Sequence, residues 1–258
     1  AIVYWVMFLG MLAYAYYSKH LKQAPLFTKF YWPQWSEMKV ILALGTPIAF
    51  SLLFEVSLFA AVAIILIPFG ANVVASHQIA INFSGLVFMV PLSLAMAVTI
   101  KVGFEVGNKN LEKAKELCRY SVILGLIIAV ATAAITLLFS SQIAAIYTTD
   151  TEVLELAAGL MFLAALFQFS DAIQVISAGA LRGYKDTKSI LYITFFSYWV
   201  VGLSFGLILG LTDWIAPASG PYGFWIGFIS GLTVAAVLLA WRLKVVQNRF
   251  DQQAVLAS

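Results

Sequence analysis

Apolar residues run almost free of charge through 1–17, 40–66, 74–100, 119–139, 153–180, 189–211 and 222–241, and the polar residues gather between these stretches. Hydrocarbon about 30 Å thick takes roughly 20 helical residues to cross, so the pattern predicts about seven transmembrane α-helices. The runs are far longer than barrel strands and lack their alternation, and a helix satisfies its backbone polar groups within its own segment. The first run is short, as expected of a longer protein cut inside or just before that helix. Ala1 already stands inside the run and no small-residue cleavage site follows, so a signal peptide is not expected. The interval 18–39, with Pro25, Pro33 and several aromatics, reads as a link between two bundles. The basic intervals 101–118 and 181–188 read as short and partly helical.

Composition removes the soluble alternatives. Apolar residues make up 62% of 258 positions and charged ones 10%, with a mean hydropathy of +0.95. Soluble domains carry about 25% charged residues. The expected fold class is therefore an all-α integral membrane protein, a polytopic helical bundle without a soluble domain. The formal charge of +3 comes from dispersed basic residues, so no nucleic-acid partner is expected. The single Cys118 excludes an internal disulfide framework or a cysteine-rich metal site.

The 15 basic residues fall in alternate loops. Lys19, Lys22, Lys29 and Lys39 come first, then Lys101, Lys109, Lys113, Lys115 and Arg119, then Arg182, Lys185 and Lys188, and last Arg242, Lys244 and Arg249. The positive-inside rule places these loops in the cytoplasm, with Ala1 outside and Ser258 inside. Tyr14, Tyr16, Tyr17, Trp214, Tyr222, Trp225 and Trp241 are expected in interfacial belts.

Two acidic residues stand inside spans. Glu55 lies mid-way through the second and Asp171 deep in the fifth. A carboxylate at the bilayer centre costs at least about 3 kcal/mol, and no Lys or Arg is expected at that depth. Protonation, a bound cation or a water-filled cavity remains, and each is the chemistry of ion coupling. Ser51 lies one turn from Glu55, and Gln168 and Gln174 lie about one turn either side of Asp171. Gln78, Asn82, Gly85, Met89 and Ser93 form a stripe along the third span at helical spacing. Pro47, Pro68 and Pro91 interrupt or bend spans and free carbonyls for a cavity.

Plainer readings stand beside these. A buried carboxylic acid can be structural, protonated and bonded to a neighbouring helix. Polar stripes also glue membrane helices together. Met89 and Met96 fit lipid or core filling, and His20 and His77 fit interfacial positions. Asp150 and Glu152 are either solvated or attract cations to an outer mouth.

Several motifs resemble the multidrug and toxin extrusion (MATE) family, in the C-terminal half of its NorM-type members. Gly45-Thr46-Pro47-Ile48-Ala49 opens the second span ahead of Glu55, and Ala75-Ser76-His77-Gln78-Ile79-Ala80 leads into the third. Lys101-Val102-Gly103-Phe104-Glu105-Val106-Gly107 follows, and Leu181-Arg182-Gly183-Tyr184-Lys185-Asp186-Thr187 is the most specific of the set. The resemblance covers 40–246.

It implies a transporter of two six-helix lobes around a central cavity, which exports lipophilic cations by alternating access against an inward flow of Na⁺ or H⁺. Residues 1–17 would be the last helix of the N-terminal lobe, 18–39 the cytoplasmic inter-lobe loop, 40–246 the C-terminal lobe and 247–258 a cytoplasmic tail, in the inner membrane. Glu55 and Asp171 match the family's cation site and would hold Na⁺, with H⁺ the alternative. An aromatic position that some relatives fill with Tyr falls on Phe88, which has no oxygen to offer an ion. Ser51, Gln78, Asn82, Phe88, Met89, Gln168 and Gln174 would line the cavity, and planar cationic drugs would be the partners. No cofactor is implied. Two alternatives remain: a flippase or exporter of another amphipathic substrate from the same superfamily, and an intramembrane enzyme using the two carboxylates as a dyad. No nucleophile–base pair or phosphate-cradling glycine loop is found, so enzymatic activity is not expected, and no lysine inside a span fits a retinal protein.

Overall fold

A computed structural model describes residues 2–18 and 32–256, side chains being described to 253. The predicted roles of Lys19, His20, Lys22, Pro25 and Lys29 lie outside the described residues. The chain divides into two compact units, residues 1–42 and 43–258. In the first unit, α1 (Ile2–Tyr17) carries edge-to-face ring pairs at Trp5–Phe8 and Tyr16–Tyr17. Helix α2 (Trp35–Ile65) begins in this unit, where the Lys39 ammonium sits 5.9 Å from the Trp35 ring centroid.

The second unit is helical throughout. After α2 and a 3₁₀ turn (Ile67–Phe69) come α3 (Ala71–Gly107), α4 (Leu111–Leu138), the short α5 (Ser140–Tyr147) and α6 (Thr151–Gly183). The next crossing is built of α7 (Thr187–Phe195), a π-helical segment (Phe196–Gly202) and α8 (Leu203–Leu211), and α9 (Pro221–Leu256) follows. Among the described residues, six helical segments are long and apolar enough to cross a membrane. The expected count of about seven is thus approximate, with α1 a shorter apolar helix beside these six. Helix α1 has 16 described residues, about 24 Å of helix.

Helices also run past their predicted ends, because a helix that emerges from apolar surroundings keeps its hydrogen bonds at no extra cost in water. Residues 35–39 belong to α2, most of 101–118 belongs to α3 and α4, and 247–256 continue α9. The expected linking loop and tail are to that extent helical.

The two basic turns share one construction. After α3, Lys109 adopts φ 59° and Asn110 N–H donates to Glu105 O at 2.9 Å. After α6, Lys185 adopts φ 64° and Asp186 N–H donates to Leu181 O at 2.9 Å. This satisfies carbonyls that each helix end leaves open. Ion pairs then tie the turns to their neighbours, Lys113–Glu105 at 2.8 Å and Arg242–Asp186 at 2.6 Å.

Helix α6 is central, packing against α3, α4, α5 and α9. Small residues permit these approaches, as is usual between helices in lipid. A Cβ on Gly179 would lie 2.5 Å from Ala95 O, where Thr99 Oγ1 also donates to Gly179 O at 2.8 Å. A second glycine seam joins the π-helical segment and α8 to α9, where a Cβ on Gly227 would lie 2.6 Å from Gly202 O and 2.7 Å from Gly206 Cα.

Buried side chains form two apolar cores. One gathers Leu58, Val62, Leu160, Phe167, Trp225 and Phe228. The other, toward the basic turns, gathers Ala95, Val102, Val175, Ala178, Ala180 and Leu243. On α6 the two are separated by residues 168–174, which hold Gln168, Asp171 and Gln174, all buried.

Candidate functional site

The gap between the cores contains a cavity of about 130 Å³, lined by α2, α3, α6 and α9. Glu55 comes from α2, Ser84 and Phe88 from α3, Asp171 and Phe167 from α6, and Trp225 from α9. Asp171 is 4% exposed and lies within electrostatic reach of Glu55, which is half-buried. The bundle thus brings together two acids that stand far apart in the chain.

Arg182 is also within electrostatic reach of Glu55. Its backbone sits at the end of α6 and its side chain is partly buried. Tyr198, fully buried in the π-helical segment, is within reach of Glu55, Asp171 and Arg182. Trp199 Nε1 of the same segment donates to Phe54 O at 3.2 Å, which fixes it against α2 beside Glu55. A π segment shifts the helical register and re-aims side chains locally, and such segments are frequent at functional sites.

Rings make up much of the remaining wall. Phe59 packs on Phe228 at 4.9 Å and on Phe167 at 6.3 Å, and Phe167 meets Trp225 at 6.1 Å. Trp225 is fully buried, not in the expected interfacial belt. His77 is likewise buried, edge-on to Trp225, and not interfacial as expected.

The other expected site residues divide clearly. Phe88 lines the cavity. Gln168 lines an adjoining small gap together with Asp171 and Ser84, and its Nε2 donates to Thr136 Oγ1 at 3.0 Å. Gln174 is buried without lining either space, and Ser51 donates to Pro47 O at 2.7 Å within its own helix. Gln78, Asn82 and Met89 are exposed on the outer face of the bundle and do not reach this cavity. Sequence reasoning missed Ser84, half a turn away on α3, whose buried hydroxyl has no partner. The signal was the run of small residues Ala80, Ser84, Pro91 and Ala95 on one face of α3. In lipid it is small residues that face protein, since large apolar ones sit equally well against acyl chains.

Asp150 and Glu152 have structural tasks. Asp150 caps α6, accepting from Glu152 N–H at 2.9 Å and Val153 N–H at 3.2 Å. Glu152 accepts from Asn72 Nδ2 at 2.7 Å, joining α6 to α3.

Among the described residues no group of three or more His, Cys, Asp or Glu side chains converges. A transition-metal centre is therefore not indicated there. A hard monovalent cation asks only for oxygens, which two carboxylates and the Ser84 hydroxyl are placed to give.

These features define a polytopic helical membrane protein with an acidic, ring-walled cavity inside the bundle. The MatE family model matches residues 47–208, and the chain belongs to that family. It is 50% identical over 258 residues to Multidrug resistance protein NorM of Photobacterium profundum, covering 100% of this chain and 57% of that protein. It is also 50% identical to Multidrug resistance protein MdtK of Yersinia pseudotuberculosis serotype O:1b (strain IP 31758), over 96% of this chain and 54% of the relative. The chain spans about half the length of the curated relatives it matches. The fold is that of the eukaryotic MATE transporter AtDTX14, with a TM-score of 0.86 at 18% identity, covering 98% of this chain and 56% of that one. The crystal structure of MATE in the bent conformation gives 0.82 at 22% identity, covering 94% and 53%.

Proposed function

We propose that this chain forms the C-terminal half of a cation-coupled multidrug antiporter of the inner membrane, with Glu55 and Asp171 as the coupling site. The observation that carries the reading is their convergence on one cavity between α2 and α6. Na⁺ is the favoured ion and H⁺ the alternative. Two carboxylates with a hydroxyl beside them suit a small hard cation, and the ring-lined wall suits organic cations at about 0.5–2 kcal/mol per cation–π contact. Ion and drug then bind in competition or in coupling, each altering the affinity for the other by the same factor. The printed names of the NorM and MdtK relatives support drugs as the cargo.

The exposed stripe of Gln78, Asn82, Met89 and Ser93 would face a central cavity shared with an N-terminal lobe. Residues 1–17 would close that lobe, 18–39 would link the two lobes, 40–246 would form the C-terminal lobe and 247–258 would follow as its extension. The alternating basic loops would lie in the cytoplasm. Asp150 and Glu152, besides their hydrogen bonds, would place negative charge at the outer mouth.

The test is ethidium efflux from vesicles holding the full-length protein, driven by a Na⁺ pulse or a pH jump. Glu55→Gln and Asp171→Asn are each expected to abolish ion-driven efflux while the protein remains folded. Ion-driven efflux that survives both substitutions would place the coupling site elsewhere.

A further inference from the structure

Away from the carboxylate cavity, α4, α6 and α9 enclose a groove of about 690 Å³ toward the basic turns. Its walls change character along their length. Val122, Ile123, Ile173 and Leu243 give it an apolar floor, and Glu116, Arg119 and Lys244 stand on its rim. Lys115, also on the rim, is already held by Glu112 at 3.0 Å and Asp251 at 2.7 Å. Among the described residues Arg119, Lys244 and Glu116 form no ion pair. All three are exposed. On the wall Ser177 is fully buried, and its hydroxyl meets no partner.

We propose that this groove seats one phospholipid of the phosphatidylethanolamine type. Arg119 and Lys244 would hold the phosphate through charge-assisted hydrogen bonds, Glu116 would accept from the ammonium, and an acyl chain would cover the apolar floor. The charge pattern selects this headgroup. Two free cations beside one free anion match a zwitterion whose positive end carries N–H donors. A glycerol headgroup brings no cation to pair with Glu116, and a choline group has no N–H to donate. The position also fits, because charged residues begin here at the ends of apolar spans, the depth at which headgroups lie. Basic residues between transmembrane helices are an established means of holding a lipid phosphate, and Glu116 adds the contact that selects the ammonium.

The experiment is native mass spectrometry of the purified full-length protein, titrated with phosphatidylethanolamine, phosphatidylcholine and phosphatidylglycerol of equal chain length. Phosphatidylethanolamine is expected to be retained about tenfold better than either of the others. The pair Arg119→Ala and Lys244→Ala is expected to lower its retention by about tenfold, with the melting temperature in lipid-free detergent unchanged. Exchanging the two cations, Arg119→Lys with Lys244→Arg, should retain binding, and Glu116→Gln should erase the preference over phosphatidylglycerol. Equal retention of all three lipids, or undiminished retention by the double alanine variant, overturns the proposal. So does full competition by glycerophosphoethanolamine or inorganic phosphate, which would identify a soluble phosphate ligand instead of a lipid.

Discussion

The two cores of the bundle differ in how many rings they hold. The core toward the basic turns holds Ala and Val beside Ile and Leu, and Tyr184 alone of its buried residues is a ring; beside it a Cβ at Gly183 would lie 2.9 Å from the Val102 side chain. The other core sets rings among alanines and leucines, with Trp225, Phe224, Phe228 and Tyr198 all nearly inaccessible. Small residues close two helices completely. Large planar ones meet edge to face at 4.9–6.3 Å in the Phe59, Phe167, Trp225 and Phe228 cluster and do not fill every corner. The cavity holding Glu55 and Asp171 opens beside the ring core. At one end Gly179 and Gly183 bring α6 hard against α3, and at the other the acidic cavity opens among the rings.

Substitutions can undo this contrast. The heaviest loss is expected of Gly179→Leu. Its side chain would enter the Ala95 carbonyl, and backbone cannot step aside as a rotamer can. No folded protein is expected by fluorescence-detected size exclusion. Trp225→Ala removes a fully buried ring from the other core. It should cost about 4 kcal/mol in unfolding titrations while leaving a folded, enlarged cavity. If Trp225→Ala proved the more damaging, the glycine contacts of α6 with α3 would not be the stronger support.

Milder changes probe the two ends of α6. Asp150→Ala removes the cap at the ring-core end and should cost about 1 kcal/mol in the same titration, with Asp150→Asn recovering most of it. At the other end Lys185 sits at φ 64°, a conformation that costs an L-residue about 1 kcal/mol. Lys185→Gly should therefore raise stability by up to about that amount. A loss instead would mean that the Lys185 side chain makes a stabilising contact that outweighs the strain.

Much of the candidate site was legible before folding. Glu55 and Asp171 stood out because a carboxylate in an apolar run is expensive whatever surrounds it. The lining was less legible. Gln78 and Asn82 are the more polar choice on α3, yet the helix turns them outward and turns Ser84 inward. Hydropathy reports transfer from water, and within a membrane both faces of a helix have already left water. The inward face is then chosen by fit, which the small residues Ala80, Ser84 and Ala95 reveal only once their neighbours are known. Arg182 escaped because its position in sequence is that of a loop, whereas it ends α6 within electrostatic reach of Glu55.

Run length, charge spacing and the cost of an unpaired peptide group in hydrocarbon are enough to make this chain helical and to carry it across a membrane several times. All three can be read from the order of residues without knowing any contact. Folding was needed to bring Glu55 and Asp171 to one cavity, to wall it with rings, and to put Arg182 and Tyr198 within reach of its charges. Those relations depend on which helix packs on which and on the π segment's change of register. Both are settled by contacts among residues distant in the chain, which no local pattern records.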